Sequence, residues 1–282
     1  MRRILRWIGL GLAGLGVAAV FALLGAFVAS EAMIRWPQAK APVRLASARD
    51  VEAVARGRRI ATLYGCHDCH GADLTGRLFF DEMPIARVAG PNLSLAMTRQ
   101  SDQDLARAIR AGVAADGRPL WIMPSDAFSR LTDGETADLI AYLRTFPAKG
   151  VRQPVKEIGP VGRIGVLLGK FRSAPQVLKA QGVARPADLG PQYAQGRALA
   201  RACMECHGLD LKGGETTHAP DLAIAAAYDL ADFERLLRTG IAAGDRRVGL
   251  MSEAAPGRFA SLKDEEIAAL HAYLKARAEK SS

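Results

Sequence analysis

The sequence predicts an all-α protein, two tandem helical domains behind a single N-terminal transmembrane helix. Three observations predict it. An uncharged run extends from Trp7 to Ala29. The stretches ARGRRIATLYGCHDCHG (55–71) and AQGRALARACMECHG (194–208) share one pattern, ending in Cys-x-x-Cys-His-Gly. The segments downstream of the two copies repeat in the same order with helical apolar spacing, and no strand-like alternation of convincing length interrupts them.

The N-terminal run comes first. Its 23 residues reach roughly 34 Å at 1.5 Å per residue, enough to cross a hydrocarbon core of about 30 Å. Arg2, Arg3 and Arg6 precede it, which holds its start in the cytoplasm and sends the remainder outward. A cleaved signal peptide is the alternative, with Val28-Ala29-Ser30 as a small-residue cleavage site. The apolar region of a signal is typically about 7–15 residues, shorter than this run. Either reading exports the body, placing the protein at a bacterial inner membrane with its domains facing the oxidising periplasm.

The repeats set the remaining boundaries. Residues 1–30 read as anchor or signal, 31–48 as linker, 49–147 as the first domain, 148–190 as a basic Pro/Gly connector and 191–282 as the second domain. After each Cys-x-x-Cys-His, GPNL (90–93) answers APDL (219–222), and DQDLARAIRAGV (102–113) answers LADFERLLRTGI (230–241), both ending at the glycine that commonly stops a helix. LTDGETADLIAYLRTF (131–146) then answers LKDEEIAALHAYLKAR (262–277). Thr132 with Glu135, and Ser261 with Asp264, have the spacing of a capping box at the starts of these last helices. Tyr142 and Tyr273 read as core packing. In the connector, VGRIGVLLGKFRS (161–173) reads as a helix packed on one of the domains, or as a basic interfacial segment touching anionic lipid beside the anchor.

Charge excludes one class of partner. The net +9 splits into +5 over residues 1–44, 0 over 45–150, +5 over 151–189 and −1 over 190–282. A nucleic-acid-binding domain concentrates its cations on the folded body, whereas here they lie outside both cysteine-bearing segments. No nucleic-acid partner is expected.

All four cysteines belong to the repeated motif: Cys66 and Cys69 before His70, Cys203 and Cys206 before His207. On a helix, residues three apart share a face and the fourth lies beside them, so two thiols address one flat object while the histidine points at its centre. This is the attachment spacing of c-type haem, with two thioether bonds and a proximal imidazole on the iron. A shared zinc site would not need a histidine after both pairs. Disulfides suit an exported chain, but a thioredoxin-like redox pair would need a βαβ context that is missing here. Two covalently bound haems c, each with iron, are the expected cofactors.

The sixth iron position decides what such a haem does. A methionine there raises the potential and suits electron transfer; an open position permits chemistry. Met123, 53 residues beyond His70, and Met251, 44 residues beyond His207, occupy the same place in the two repeats. Met83 and Met97 are further candidates in the first repeat, and His218 and His271 in the second. Met204 lies between the cysteines and does not reach round, and His67 reads as a solvent-facing spacer. The cofactor-binding set is thus Cys66, Cys69, His70, Met123, Cys203, Cys206, His207 and Met251, with His70, Met123, His207 and Met251 on the metal. A proximal imidazole needs its second nitrogen held, and the carbonyls of Pro91 and Pro220 are placed to hold it.

CHDCH, GPNL, the Met123 loop and AYL in one half, and CMECH, APDL, the Met251 loop and AYL in the other, resemble the class I cytochrome c family in tandem di-haem form. The resemblance covers roughly residues 50–147 and 191–277. It implies two small helical bundles, each enclosing one haem, with N- and C-terminal helices crossing. The pattern is also similar to the cytochrome subunits that accept electrons from periplasmic alcohol, aldehyde and sugar dehydrogenases. The expected function is single-electron transfer between respiratory or dehydrogenase partners (a periplasmic dehydrogenase, a cytochrome or a terminal oxidase), with no catalytic residues. The alternative is a di-haem enzyme of peroxidase or thiosulfate-oxidising type with one open haem.

Overall fold

The computed structural model describes residues 2–45, 48, 50–152, 156–181, 186–214 and 217–281. Helix α1 runs from Arg2 to Arg35, so the apolar run continues as helix past Ala29. Its side chains are exposed until Ser30 and Ile34, which are buried against the body.

In the first domain α2 (Val51–Leu63) begins at Asp50, whose carboxylate accepts from Ala53 N at 2.6 Å. The motif helix α3 (Cys66–His70) comes next. Strands β1 (Leu78–Glu82) and β2 (Ala86–Ala89) form an antiparallel hairpin. Then come α4 (Leu93–Ala96), α5 (Asp102–Ala111), α6 (Ser125–Phe128) and α7 (Asp133–Leu143). Ser101 caps α5 and Gly112, at φ +65°, ends it, while Thr132 and Glu135 close a full capping box on α7. The connector supplies β3 (Lys156–Ile158), α8 (Pro160–Leu167) and α9 (Ala174–Gln181). The second domain contains α10 (Ala194–Ala200), the motif helix α11 (Met204–His207) and α12 (Leu230–Thr239). The short strands β4 (Ile241–Ala242) and β5 (Arg246–Arg247), then α13 (Leu250–Arg258) and α14 (Asp264–Ser281), complete it.

Each domain is organised by one helix crossing at a glycine. A Cβ on Gly57 of α2 would lie 1.9 Å from Asp138 O and 2.8 Å from Tyr142 Cβ on α7. A Cβ on Gly196 of α10 would lie 2.1 Å from Ala269 O and 2.6 Å from Tyr273 Cβ on α14. Only glycine lets the two backbones meet. The Gly-Arg pair shared by the two repeats is therefore the crossing point inside each helix. Tyr142 and Tyr273 are buried beside it, and the Tyr273 hydroxyl also donates to Ala187 O at 3.0 Å.

The mostly helical class stands, with a few short strands, and one capping expectation is corrected. The chain does contain a sheet: β2 pairs with β1 and, across about seventy residues of sequence, with β3. Such strands are too short for alternation to register, and one of them lies in the connector. Ser261 does not cap α14, which begins at Asp264; instead the Glu266 carboxylate accepts from Lys263 N at 2.9 Å. The connector helix is α8, and it packs on α1 as well as on the sheet. Arg163 of α8 donates to Ser30 Oγ at 3.0 Å and pairs with Glu31 at 2.7 Å.

The two domains meet, their buried apolar residues running into one cluster that includes Tyr64, Phe128, Met204 and Phe259. Glu135 and Glu266 hold equivalent places at the starts of α7 and α14. Glu135 receives Arg201 from the other domain, and Glu266 receives Arg59 at 2.5 Å. Each domain thus gives one arginine to its neighbour and receives one on the acid at the start of its final helix.

Candidate haem sites

The proximal side is built twice from the same backbone. After the motif, Gly71 and Gly208 turn at φ +80° and +79°, with Leu74 and Leu211 beyond them at φ +59° and +64°. A leucine in the left-handed region is strained. Both side chains are fully buried, and their carbonyls accept from Leu93 N at 2.8 Å and Leu222 N at 2.9 Å. The turn closes on the motif itself, because His70 O accepts from Gly76 N at 2.8 Å and His207 O from Gly213 N at 2.9 Å. The repeated DL after each HGx was its only sequence signal.

This loop presents each histidine with a carbonyl. His70 Nδ1 lies 3.0 Å from Pro91 O, and His207 Nδ1 lies 2.8 Å from Pro220 O. A carbonyl only accepts, so Nδ1 carries the hydrogen and Nε2 keeps its lone pair free for a metal. Burial lowers the pKa of both imidazoles below the usual value, against the opposing effect of these hydrogen bonds, and the neutral, ligating form is favoured.

The departure of APDL from GPNL has a structural reason. In the first domain Gly90 N donates to Arg77 O at 2.9 Å, and a Cβ on Gly90 would sit 2.0 Å from Cys69 O. In the second domain Gly214 N donates to Ala219 O at 3.0 Å, and a Cβ on Gly214 would sit 2.0 Å from Cys206 O. The same rung is closed in both, with its glycine on opposite sides. Ala219 is tolerated because Gly214 makes the close approach. The β1–β2 hairpin is what the first domain inserts across that rung.

All four cysteines are unbridged and half-buried, so neither pair is a disulfide. Burial pushes the Cys66 and Cys203 thiols up to about 12 and Cys69 up to about 11, and raises Cys206 as well. Thiol exchange needs the thiolate, which this environment disfavours. Among the described residues no group of three or more His, Cys, Asp and Glu side chains comes together for a metal ion, so the four thiols do not converge.

The remaining candidates separate by environment. Met123 and Met251 are half-buried and pack against the main core, as do Cys66 and Cys203. Met97 and Met204 are buried within that core, and Met83 is exposed on the hairpin turn. His218 is exposed. His271 is occupied, with Nε2 2.9 Å from Tyr228 O and its ring stacked on Phe233. His67 is corrected: it is half-buried, with Nε2 3.1 Å from the Tyr142 hydroxyl and its ring edge-on to Tyr142.

One residue that joins the two motifs had no sequence signal. Arg258, at the end of α13, donates through Nε to Asp68 Oδ2 at 2.8 Å and through Nη1 to Glu205 Oε2 at 2.6 Å. Asp68 and Glu205 are the same position of the two motifs, the residue before the second cysteine. One guanidinium, only 11% exposed, joins CHDCH to CMECH. Burial alone would lower its pKa, but Glu205 and Asp68 together raise it, so the cation is permanent. Gly65 makes the room, since a Cβ there would lie 2.3 Å from Arg258 Nη2. No local pattern announces such a residue, because its two partners lie 190 and 53 positions away.

Two motif helices with paired thiols, each histidine held through Nδ1 with Nε2 free, fit the porphyrin and iron of haem c. The chain carries two covalently bound haems c. The cytochrome c family model matches residues 54–147 and 193–278, and the chain belongs to that family in tandem form. It is also similar to the fructose dehydrogenase cytochrome subunit of Gluconobacter japonicus, at 25% identity over 255 residues, covering 79% of this chain and 52% of that subunit. The chain spans about half the length of the curated relative it matches. Membership of the cytochrome c family supports haem-based electron transfer.

Proposed function

We propose that the protein is a membrane-tethered periplasmic di-haem cytochrome that carries single electrons from a dehydrogenase to a downstream cytochrome or terminal oxidase. Haem, when bound, supplies the one-electron iron couple. The observation that carries the reading is the Arg258 bridge: it draws both attachment motifs to one guanidinium, so the two motifs that would hold the haems stand side by side at the domain interface. A carrier with two sites needs such an adjacency if an electron accepted in one domain is to leave from the other.

His70 and His207 serve as proximal ligands and Met123 and Met251 as distal ligands in this reading. The Met123 loop is held rigid from outside, since Trp121 Nε1 donates to Ile34 O at 3.1 Å and Leu120 O accepts from Ala174 N at 2.7 Å. Helix α1 supplies the tether, with an exposed apolar surface along its first 28 residues and no acid before Glu31. The similarity to a fructose dehydrogenase cytochrome subunit supports a dehydrogenase as donor.

Membranes of the native host, supplied with dehydrogenase substrates under anaerobic conditions, are expected to reduce both haems, and oxygen or another terminal acceptor to reoxidise them. Haems that stay oxidised with every dehydrogenase substrate while an added chemical reductant reduces them would overturn the dehydrogenase partner.

A further inference from the structure

The inserted hairpin, β3 and α8 form one unit against the outer end of α1. Gly159 N donates to Ile85 O at 2.9 Å and Val161 N to Pro84 O at 3.2 Å, which ties the hairpin turn to the start of α8. A Cβ on Gly162 would lie 2.3 Å from Ile85 O, so the two are packed backbone to backbone. Helix α8 is in turn fixed on α1: the Arg163 guanidinium carbon lies 4.2 Å from the centre of the Phe27 ring, and its hydrogen bonds reach Ser30 and Glu31.

This unit carries a contiguous apolar surface with no protein on it. Met83, Ile85, Val161, Ile164 and Leu168 are all at least 43% exposed, and Leu168 reaches 69%. Positions 161, 164 and 168 share one face of α8, while Gly162 and Val166 face inward and are buried. Lys170 and Arg172 stand at the end of the helix, with Lys179 beyond them. The nearby acids are Asp81, Glu157 and Glu82. Asp81 is paired with Arg87 at 2.9 Å and Glu157 approaches the same arginine at 3.8 Å, which leaves the cations in excess.

Depth decides the occupant. Phe27 lies in the last two turns of the uncharged run and Glu31 is its first charge, so the contacts with Arg163 place α8 where a spanning α1 leaves the hydrocarbon. Trp36, exposed just beyond, has the position of an interfacial aromatic anchor. An apolar helix face with basic residues at its end, held at that level, has the chemistry of an interfacial element. We infer that α8 and the tip of the β1–β2 hairpin rest in the headgroup layer of an anionic bilayer, as a second membrane contact that fixes how the first haem domain faces the membrane. This rests on the tethering reading above.

The test uses the full haem-loaded chain, kept oxidised, in nanodiscs containing phosphatidylglycerol, and the relaxation that each label owes to the ferric haems is measured without any collider and subtracted. Spin labels are placed singly through Ile164→Cys and Leu168→Cys on the proposed face. Leu24→Cys within α1 serves as the lipid reference and Ile224→Cys, exposed in the second domain, as the aqueous reference. Collision with oxygen is compared with collision with a water-soluble nickel chelate. The labels at 164 and 168 are expected to show an oxygen-to-nickel ratio several-fold above that at 224 and below or equal to that at 24. A ratio at both sites matching 224 while 24 reads as lipid would overturn the second contact and leave the tether standing. A label at 24 that itself reads as aqueous would overturn the tether and this inference with it. Labels at 164 and 168 that are aqueous in nanodiscs and become shielded only in native membranes would assign the face to a protein partner instead, which also overturns it.

Discussion

In the first domain Met123 stands in a loop between α5 and α6, and that loop is tied down from several sides. Trp121 reaches the end of α1 and packs at 5.3 Å from Phe171, and Ser125 Oγ donates to Ala108 O at 3.1 Å. In the second domain Met251 occupies the first turn of a nine-residue helix, α13, whose start at Gly249 has no side-chain cap. The proximal sides, by contrast, are nearly superposable in their hydrogen bonds, turn angles and carbonyl acceptors. The motif end of each repeat is therefore constrained by geometry common to both, while the methionine-bearing segment is shaped by what each domain has to touch. Domain one uses its Met123 loop to meet α1; domain two uses the same region to send Arg258 into the interface.

The strongest way to break the comparison is at the helix crossings. Gly57→Val and Gly196→Val each force a side chain into backbone atoms closer than 2.2 Å. A destabilisation of about 3 kcal/mol or more is expected from overpacking of this kind, equal for the two if the crossings are equivalent. Thermal unfolding of the haem-loaded variants, monitored in the Soret region, measures it. A normal melting temperature for either variant would show that its crossing is not the organising contact.

Arg258 comes next. Arg258→Met leaves Asp68 and Glu205 facing each other without their shared cation, at a cost of about 1–3 kcal/mol since Asp68 keeps solvent on one side. The loss falls on the interface, so proteolysis between the domains and the rate of electron equilibration between the two haems should change together. Ala127, which stands at the equivalent place in the first domain, is fully buried, and Ala127→Arg would disrupt packing without creating a second bridge.

The starts of the final helices give a smaller contrast. Thr132→Ala removes half of a closed capping box and should cost about 1 kcal/mol, while Ser261→Ala should cost nothing measurable because α14 begins after it. Chemical denaturation at fixed pH separates the two.

Acid should weaken the interdomain ion pairs last. Burial tends to raise the Glu135 and Glu266 carboxyls, but Arg201 with the Thr132 N–H, and Arg59 with the Lys263 N–H, outweigh it and leave both lowered. A carboxyl depressed on folding contributes stability that is full above its unfolded value, about 4.3, and is lost as pH falls through the folded value below it. Unfolding free energies measured from pH 6 downward should hold steady to about pH 4.5 and then fall, less steeply in an Arg201→Met background.

How much of this is legible in the sequence depends on the range of each interaction. The attachment motifs, their histidines and the carbonyls of Pro91 and Pro220 are encoded within some twenty residues and are legible, and the repeat is legible because the same short patterns recur in the same order. The glycine crossings are visible as repeated letters but not as crossings, because what Gly57 meets lies about eighty residues on, in α7. The sheet needs a connector strand to join a hairpin seventy residues earlier. His67 looks like a spacer because its partner, the Tyr142 hydroxyl, is brought to it only by the α2–α7 packing. Arg258 depends on the relation of the two domains, which neither repeat contains on its own.

The central claim is that both haems are closed by methionine and that the chain is a carrier. An optical spectrum of the haem-loaded protein, oxidised and then reduced with and without carbon monoxide, addresses it most directly. Two closed sites predict a methionine–iron charge-transfer band at the red edge of the oxidised spectrum that scales to two haems, and a reduced spectrum that carbon monoxide leaves unchanged. Met123→Ala and Met251→Ala should each remove half of that band. A band scaling to one haem, with the other binding carbon monoxide and with Met251→Ala leaving the spectrum untouched, would contradict the account and turn the second domain into a site for chemistry.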